Sequence, residues 1–195
     1  FLINYSDLYD PTYIKLINKS LKKIKKIKSI KANYGNNKIL YPVKKRYYPI
    51  QNWISHPVSM FISICGDINK FKITNYEVKY KHSFIFERVQ IKLYKKNLDL
   101  VFNFSNFIGD ENRNIKIEGQ RGHLKFNSYV KNDNYFFYKK KTFVKSKTTS
   151  IEYILRLFLN NIYRKTVNSN MNIGIKEHYL STNIIKKISS IRKKL

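Results

Sequence analysis

The residues from Val89 to Phe104, VQIKLYKKNLDLVFNF, constrain the fold more than any other stretch of the chain. Val89, Ile91 and Leu93 alternate with Gln90, Lys92 and Tyr94, the period-two pattern of a strand with one buried and one solvated face. Lys95, Lys96 and Asn97 then interrupt it. Beyond the break, Leu98, Val101, Phe102 and Ser105 recur at helical spacing behind Asn97 as a cap. Leu98, Leu100, Phe102 and Phe104 also alternate, as a second strand would. The residues by themselves leave strand-turn-helix and β-hairpin both open.

Other elements are placed around this one. Asp10-Pro11 is a helix start, a capping side chain followed by a residue preset for the first turn. Ile14, Ile17, Leu21 and Ile24 form an apolar stripe that Ile27 and Ile30 continue, with lysines on the other faces, which predicts a basic amphipathic helix ending near Gly35. From Pro57, Val58, Phe61 and Ile62 predict a short helix stopped by Gly66, with Trp53 packed under it. Phe71 to Tyr80 reads as a strand with a register break. Ile115, Ile117, Leu124 and Phe126 flank the turn EGQRG as a hairpin, and Tyr135 to Val144 predicts a strand pair or one bulged strand. Thr149 and Glu152 make a capping box for a helix whose broad apolar face, from Ile151 to Ile162, must lie on a sheet. Ser181 or Thr182 caps a last helix with Ile184, Ile188, Ile191 and Leu195 along one side.

The expected fold is α+β, an antiparallel sheet with helices packed on one face, plus basic helical N- and C-terminal extensions. At 195 residues the chain has length for one real core and too little for two comfortable domains. The division expected is 1–49 as basic helix and extended linker, 50–166 as core, and 167–195 as C-terminal extension.

Thirty-nine Lys and Arg against twelve Asp and Glu give a formal charge of +27, which calls for a polyanionic partner. Nucleic acid is the first choice and a membrane surface the rival, with no membrane insertion expected because no run approaches the ~18 apolar residues of a spanning helix. Ala32 is the single alanine, and Lys, Asn, Ile, Tyr and Phe crowd the rest. That bias marks an AT-rich gene of the organellar kind. Cys65 is alone, so no intrachain disulfide forms. Four histidines, His56, His82, His123 and His178, show no metal-ligand spacing, and phosphate-loop and dinucleotide fingerprints are absent. No catalytic residues, cofactor or metal are expected, and the reading is of a protein that is not an enzyme. A nuclease built on Asp110 and Glu111 is the enzymatic alternative.

RNA binding fits what remains. The segment YPVKKRYYP, from Tyr41 to Pro49, interleaves basic and aromatic residues in an extended backbone suited to a groove. Candidate contacts are Lys22, Lys23 and Lys26 on the first helix, Lys44, Lys45, Arg46 and Tyr47 in that strip, and Lys72 and Lys92 on strands. Lys95 and Lys96 in the basic break, Arg113, Arg121, and Lys139, Lys140 and Lys141 complete the set.

VQIKLYKKNLDLVFNF resembles a segment of the large-subunit ribosomal protein five family, in which a Val-x-Val-x-Leu strand, a basic turn and a helix follow one another. Ile64-Cys65-Gly66-Asp67, Lys72-Ile73-Thr74, and Thr142-Phe143-Val144 with Thr148-Thr149 and the helix from Ser150 resemble further elements of that family. The resemblance covers about Pro57 to Tyr163 and favours strand-turn-helix for the opening stretch. IKIEGQRGHL from Ile115 is similar to part of large-subunit ribosomal protein six. What the first resemblance implies is a structural rRNA-binding protein at the central protuberance, with rRNA and neighbouring ribosomal proteins as partners and 5S rRNA and tRNA as conditional ones. The AT bias makes the expected location the mitochondrial matrix, on the mitochondrial ribosome, with a plastid-type organelle second. The alternatives are another organellar ribosomal protein or a non-ribosomal nucleic-acid-binding protein.

Overall fold

The computed structural model describes residues 7–35, 49–82, 84–107, 109–110, 112–164 and 171–194. Asp10 starts the first helix, α1 (Pro11–Ile24), its carboxylate accepting from the N–H groups of Thr12 at 2.7 Å and Tyr13 at 3.3 Å. The helix stops far short of Gly35. Lys25 takes a left-handed φ of 57°, and the chain continues as strand β1 (Ile27–Gly35). Ile30, Ala32 and Tyr34 are buried while Lys31 faces solvent, so the alternation from Ile30 onward prevails over the helical spacing of Ile24, Ile27 and Ile30.

A short 3-10 turn, Pro49–Asn52, leads to α2 (Ser55–Cys65), which ends at Gly66, whose N–H donates to the Ile62 carbonyl. Seven strands and two helices follow among the described residues: β2 (Lys70–Lys81), β3 (Phe84–Lys95), β4 (Leu98–Ser105), β5 (Asn112–Gly119), β6 (His123–Asn127), β7 (Tyr135–Tyr138) and β8 (Lys140–Phe143), then α3 (Ser150–Arg164) and α4 (Met171–Arg192). The anchor stretch is therefore a hairpin, with Lys95 opposite Leu98 and a turn in which Asn97 has φ 58°. Asn tolerates that left-handed conformation better than most residues. The expected strand-turn-helix is corrected here, because β4 has a partner on each side, and Leu100, Phe102 and Phe104 all point into the core.

The eight strands form one sheet in the order β2-β3-β4-β1-β5-β6-β7-β8. β1 runs parallel to β4 and every other pairing is antiparallel. The register break foreseen in β2 lies between Ile73 and Asn75. The architecture is α+β with helices on one face of the sheet. Segments 1–49 and 167–195, expected as extensions, contribute the central strand β1 and the helix α4 to that same body.

The core lies between sheet and helices. Tyr13 and Leu16 of α1, Val58, Met60 and Phe61 of α2, and Ile184 and Ile188 of α4 meet Ile30, Ile91, Phe102, Ile115, Ile117 and Phe126 from the strands. At its far end Glu87 of β3 and Arg192 of α4 form a buried ion pair, 0% and 6% exposed at the side chain. The Glu87 carboxylate also accepts from Tyr76 at 3.0 Å and from the Ile50 N–H at 3.1 Å. α3 departs from expectation. Thr149 caps it through the Glu152 N–H, but Ile151, Leu155, Phe158 and Leu159 face solvent instead of the sheet.

Candidate functional site

Neighbouring strands place Tyr34 of β1 directly beside Arg113 of β5, on the helix-covered face. Both reach Asp7, in the turn that precedes α1. The Arg113 guanidinium holds the carboxylate with two bonds, Nε to Oδ2 at 3.0 Å and Nη2 to Oδ1 at 2.7 Å. The Tyr34 hydroxyl donates to Oδ2 at 2.5 Å. Asp7 is 2% exposed, and a carboxylate so enclosed is tolerable only because a bidentate cation and a hydroxyl satisfy it. Trp53 lies under the guanidinium, its ring centre 5.1 Å away, and meets Tyr34 edge-on at 6.2 Å. Burial and the adjacent Asp7 charge push the Tyr34 phenol well above its ordinary range. It stays a hydrogen-bond donor.

His56 completes the group. It stands in the first turn of α2, with Nδ1 3.9 Å from Asp7 Oδ2 and a side chain 19% exposed. Nδ1 is buried and makes no hydrogen bond, so the exposed fraction belongs to the rest of the ring. Burial pulls the imidazole pKa below its ordinary value; Asp7 opposes that shift and Arg113 adds to it. The result is a neutral imidazole whose inner nitrogen faces a fixed carboxylate. A neutral ring whose Nδ1 carries the proton beside the carboxylate has Nε2 as its proton acceptor. The sequence reading passed over His56, whose partners lie 49 and 57 positions away in the chain at Asp7 and Arg113. A histidine opening a predicted helix behind a tryptophan was the only local sign.

The residues expected to contact RNA are not brought together. Lys22 and Lys23 are on α1, with the Lys23 ammonium over the Phe136 ring, and Lys26 follows α1. Lys44, Lys45, Arg46 and Tyr47 lie outside the described residues. Lys72 and Lys92 sit opposite each other on the open face of the sheet, and Lys92 is 3.5 Å from Asp99. Lys95 donates to the Asp67 carbonyl at 2.7 Å and Lys96 is in the β3–β4 turn. Arg121 is in the β5–β6 turn, and Lys139, Lys140 and Lys141 are at the β7–β8 turn. Arg113 is corrected outright, since its guanidinium is committed to Asp7 inside the protein. Asp110, considered for a nuclease, is bound by Arg88 at 2.8 Å and Ser105 at 2.5 Å. Among the described residues no group of three or more His, Cys, Asp or Glu could hold a metal ion, and no helix is long and apolar enough to cross a membrane.

Neither a family model nor a curated protein matches the sequence. Solved structures do match. A protein described as an oxidoreductase from Magnetospirillum magnetotacticum MS-1 shares 15% identity at a TM-score of 0.79, over 92% of this chain and 61% of its own. Biliverdin reductase from Synechocystis sp. PCC 6803, solved with biliverdin and NADP+, matches at 12% identity and TM-score 0.71, over 95% and 61%. A Gfo/Idh/MocA family oxidoreductase from Vibrio cholerae matches at 9% identity and TM-score 0.70, over 97% and 62%. The chain thus spans about three fifths of these proteins, and the likeness is one of fold. It overturns the ribosomal resemblance and what rested on it: a non-enzymatic role, and rRNA, 5S rRNA, tRNA and ribosomal proteins as partners. The resemblance erred because its central motif required a helix where the chain forms β4.

Proposed function

We propose that this chain is the substrate-side domain of an oxidoreductase, with His56 as the group that exchanges a proton with the substrate. The observation that carries the proposal is the buried Nδ1 of His56 beside the clamped Asp7 carboxylate. The likeness in fold to solved oxidoreductases supports it. In this role the imidazole Nε2 takes the proton from a substrate hydroxyl, or returns it to a carbonyl oxygen. Asp7, 3.9 Å from Nδ1, balances the ring's charge as it protonates. Arg113 and Tyr34 keep the carboxylate in place.

The NADP+ present with one of these neighbours has no fitting site among the described residues. Dinucleotide binding of the usual kind needs parallel strands and a glycine-rich turn opening a helix. Among the described residues β1 and β4 are the one parallel pair, and the sequence has no Gly-x-Gly-x-x-Gly. Gly35 and Gly119 instead allow close approach of other backbone, since a Cβ on either would strike the carbonyl oxygen of Asp110 or Ile24. A nicotinamide cofactor would therefore be held by a unit that the described residues do not include.

The test is to isolate the native protein from its source at low salt and assay it for nicotinamide-dependent reduction of a carbonyl panel, beside a His56→Gln variant. Loss of roughly a hundredfold or more in turnover in the variant supports the role. Absence of oxidoreductase activity, or a variant as fast as the parent, overturns it.

A further inference from the structure

The helix α3 presents apolar side chains in two directions. Tyr153, Ile154 and Leu157 pack on the core, while Ile151, Leu155, Phe158 and Leu159 are each between 45% and 68% exposed. The exposed four fall at i, i+4, i+7 and i+8, so they share one face of the helix, a stripe about 100° wide. At ~1.5 Å per residue the row is roughly 12 Å long. A single exposed leucine is ordinary on a protein surface. Four large apolar side chains in one row mark a surface that something covers.

The approach to this helix is basic. Lys131, Lys145 and Lys147 line the cleft in front of its first turn, and Lys15 of α1 donates to the Ser146 hydroxyl there at 3.5 Å. Asp10 is the carboxylate in that cleft, and it is taken up by the N–H groups of Thr12 and Tyr13 and by the Ser150 hydroxyl. On the helix itself Arg156 is paired with Glu152, which leaves the lysines in excess. The formal charge of +27 still calls for a polyanion once rRNA is set aside.

We propose that α3 docks on an anionic phospholipid surface, with the row from Ile151 to Leu159 among the upper acyl chains and the lysines at its start among the phosphates. A nucleic acid would neutralise these lysines but offers nothing to the aliphatic Ile151, Leu155 and Leu159. An apolar protein surface would cover the row without answering the charge. An anionic bilayer does both, because buried apolar area and attraction to charged lipid add. The core contacts of Tyr153, Ile154 and Leu157 hold the helix in place before it meets the surface, so little ordering is left to be done on binding. Docking is peripheral, since no helix among the described residues is long and apolar enough to cross. The inference rests on α3 and its lysines and is independent of His56.

Co-sedimentation of the full chain with vesicles of phosphatidylcholine and phosphatidylglycerol at 7:3, beside vesicles of phosphatidylcholine alone, tests it. Binding to the anionic vesicles is expected, at least about tenfold tighter than to the neutral ones. Leu155→Ser/Phe158→Ser should weaken it by about tenfold or more, with an unchanged melting temperature because both side chains are exposed. Tyr80→Ser, at an exposed aromatic on β2, should bind as the parent does. Phe158→Trp adds a second indole to a chain whose one tryptophan, Trp53, packs against the core, and brominated acyl chains should quench the added emission. Absence of binding at low salt, full binding by the double serine variant, or an added indole that stays unquenched each overturn the proposal, the last two by showing adsorption through charge alone. So does a parent that sediments as a dimer while the double serine variant sediments as a monomer, which would make the row a contact between copies.

Discussion

Replacing Arg192 by Met tests the account of how α4 is held to the sheet. The substitution keeps an unbranched chain of similar reach and removes the cation that faces Glu87, a side chain with no solvent exposure. Loss of one member of a buried ion pair costs about 3–5 kcal/mol because the other charge is left uncompensated. Two other hydrogen bonds to Glu87 survive, from Tyr76 and the Ile50 N–H, which argues for the lower end, about 3 kcal/mol. For a chain of this length each kcal/mol moves the melting temperature by about 2–4 °C, so a fall of roughly 6–12 °C is expected. Urea denaturation and calorimetry would measure it. The double variant Glu87→Gln/Arg192→Met should recover part of the loss, since the stranded charge is gone. A single variant that melts with the parent, or a double variant whose losses simply add, would refute the reasoning.

Asp10→Ala should destabilise the protein by about 1–2 kcal/mol in urea, because Asp10 caps α1 and also accepts from Ser150 at the start of α3, while Asp10→Asn should retain most of it. The lowered folded pKa of His56 means that the unfolded chain takes up a proton first. Its contribution is therefore complete above about pH 6.5 and is lost as pH falls through that value toward the folded pKa. His56→Gln should flatten the stability profile between neutral pH and pH 5, and an unchanged slope would show that another group titrates there. Burial pushes the Cys65 thiol up to about 11, against the pull of the Lys95 ammonium. Alkylation by iodoacetamide near neutral pH should then be at least about tenfold slower in the native than in the unfolded protein, as read by mass spectrometry.

Elements whose own residues settle them were legible in the sequence. α2 between Pro57 and Gly66, the β5–β6 hairpin and the broken strand β2 follow from periodicity, glycine stops and turn chemistry. β1 was not, because Ile24, Ile27 and Ile30 keep helical spacing across the point where Lys25 turns the chain. β4 carries two periodicities at once, and pairing with β1 chose between them. The site failed for a different reason. Asp7, Tyr34, His56 and Arg113 come from four separate elements, and Arg113 and Asp7 are 106 positions apart. Charge counting ranked Arg113 among solvent-facing cations, whereas its worth to the protein is as the grip on one buried carboxylate.

The place of β1 has a consequence for how the chain is made. This strand is synthesised well before the two strands, β4 and β5, that fill both of its hydrogen-bonded edges. Eighty-four positions separate the end of β1 at Gly35 from the end of β5 at Gly119. At roughly 5–20 residues per second that is about 4–17 s during which the strand has left the ribosome without its partners. Nascent Ile30-Lys31-Ala32-Asn33-Tyr34 must stay soluble through that interval, and Lys28 before it and Lys31 within it supply the charge that discourages premature pairing with other chains. Removal of β1 would leave β2-β3-β4 and β5-β6-β7-β8 as two separate sheets with open facing edges.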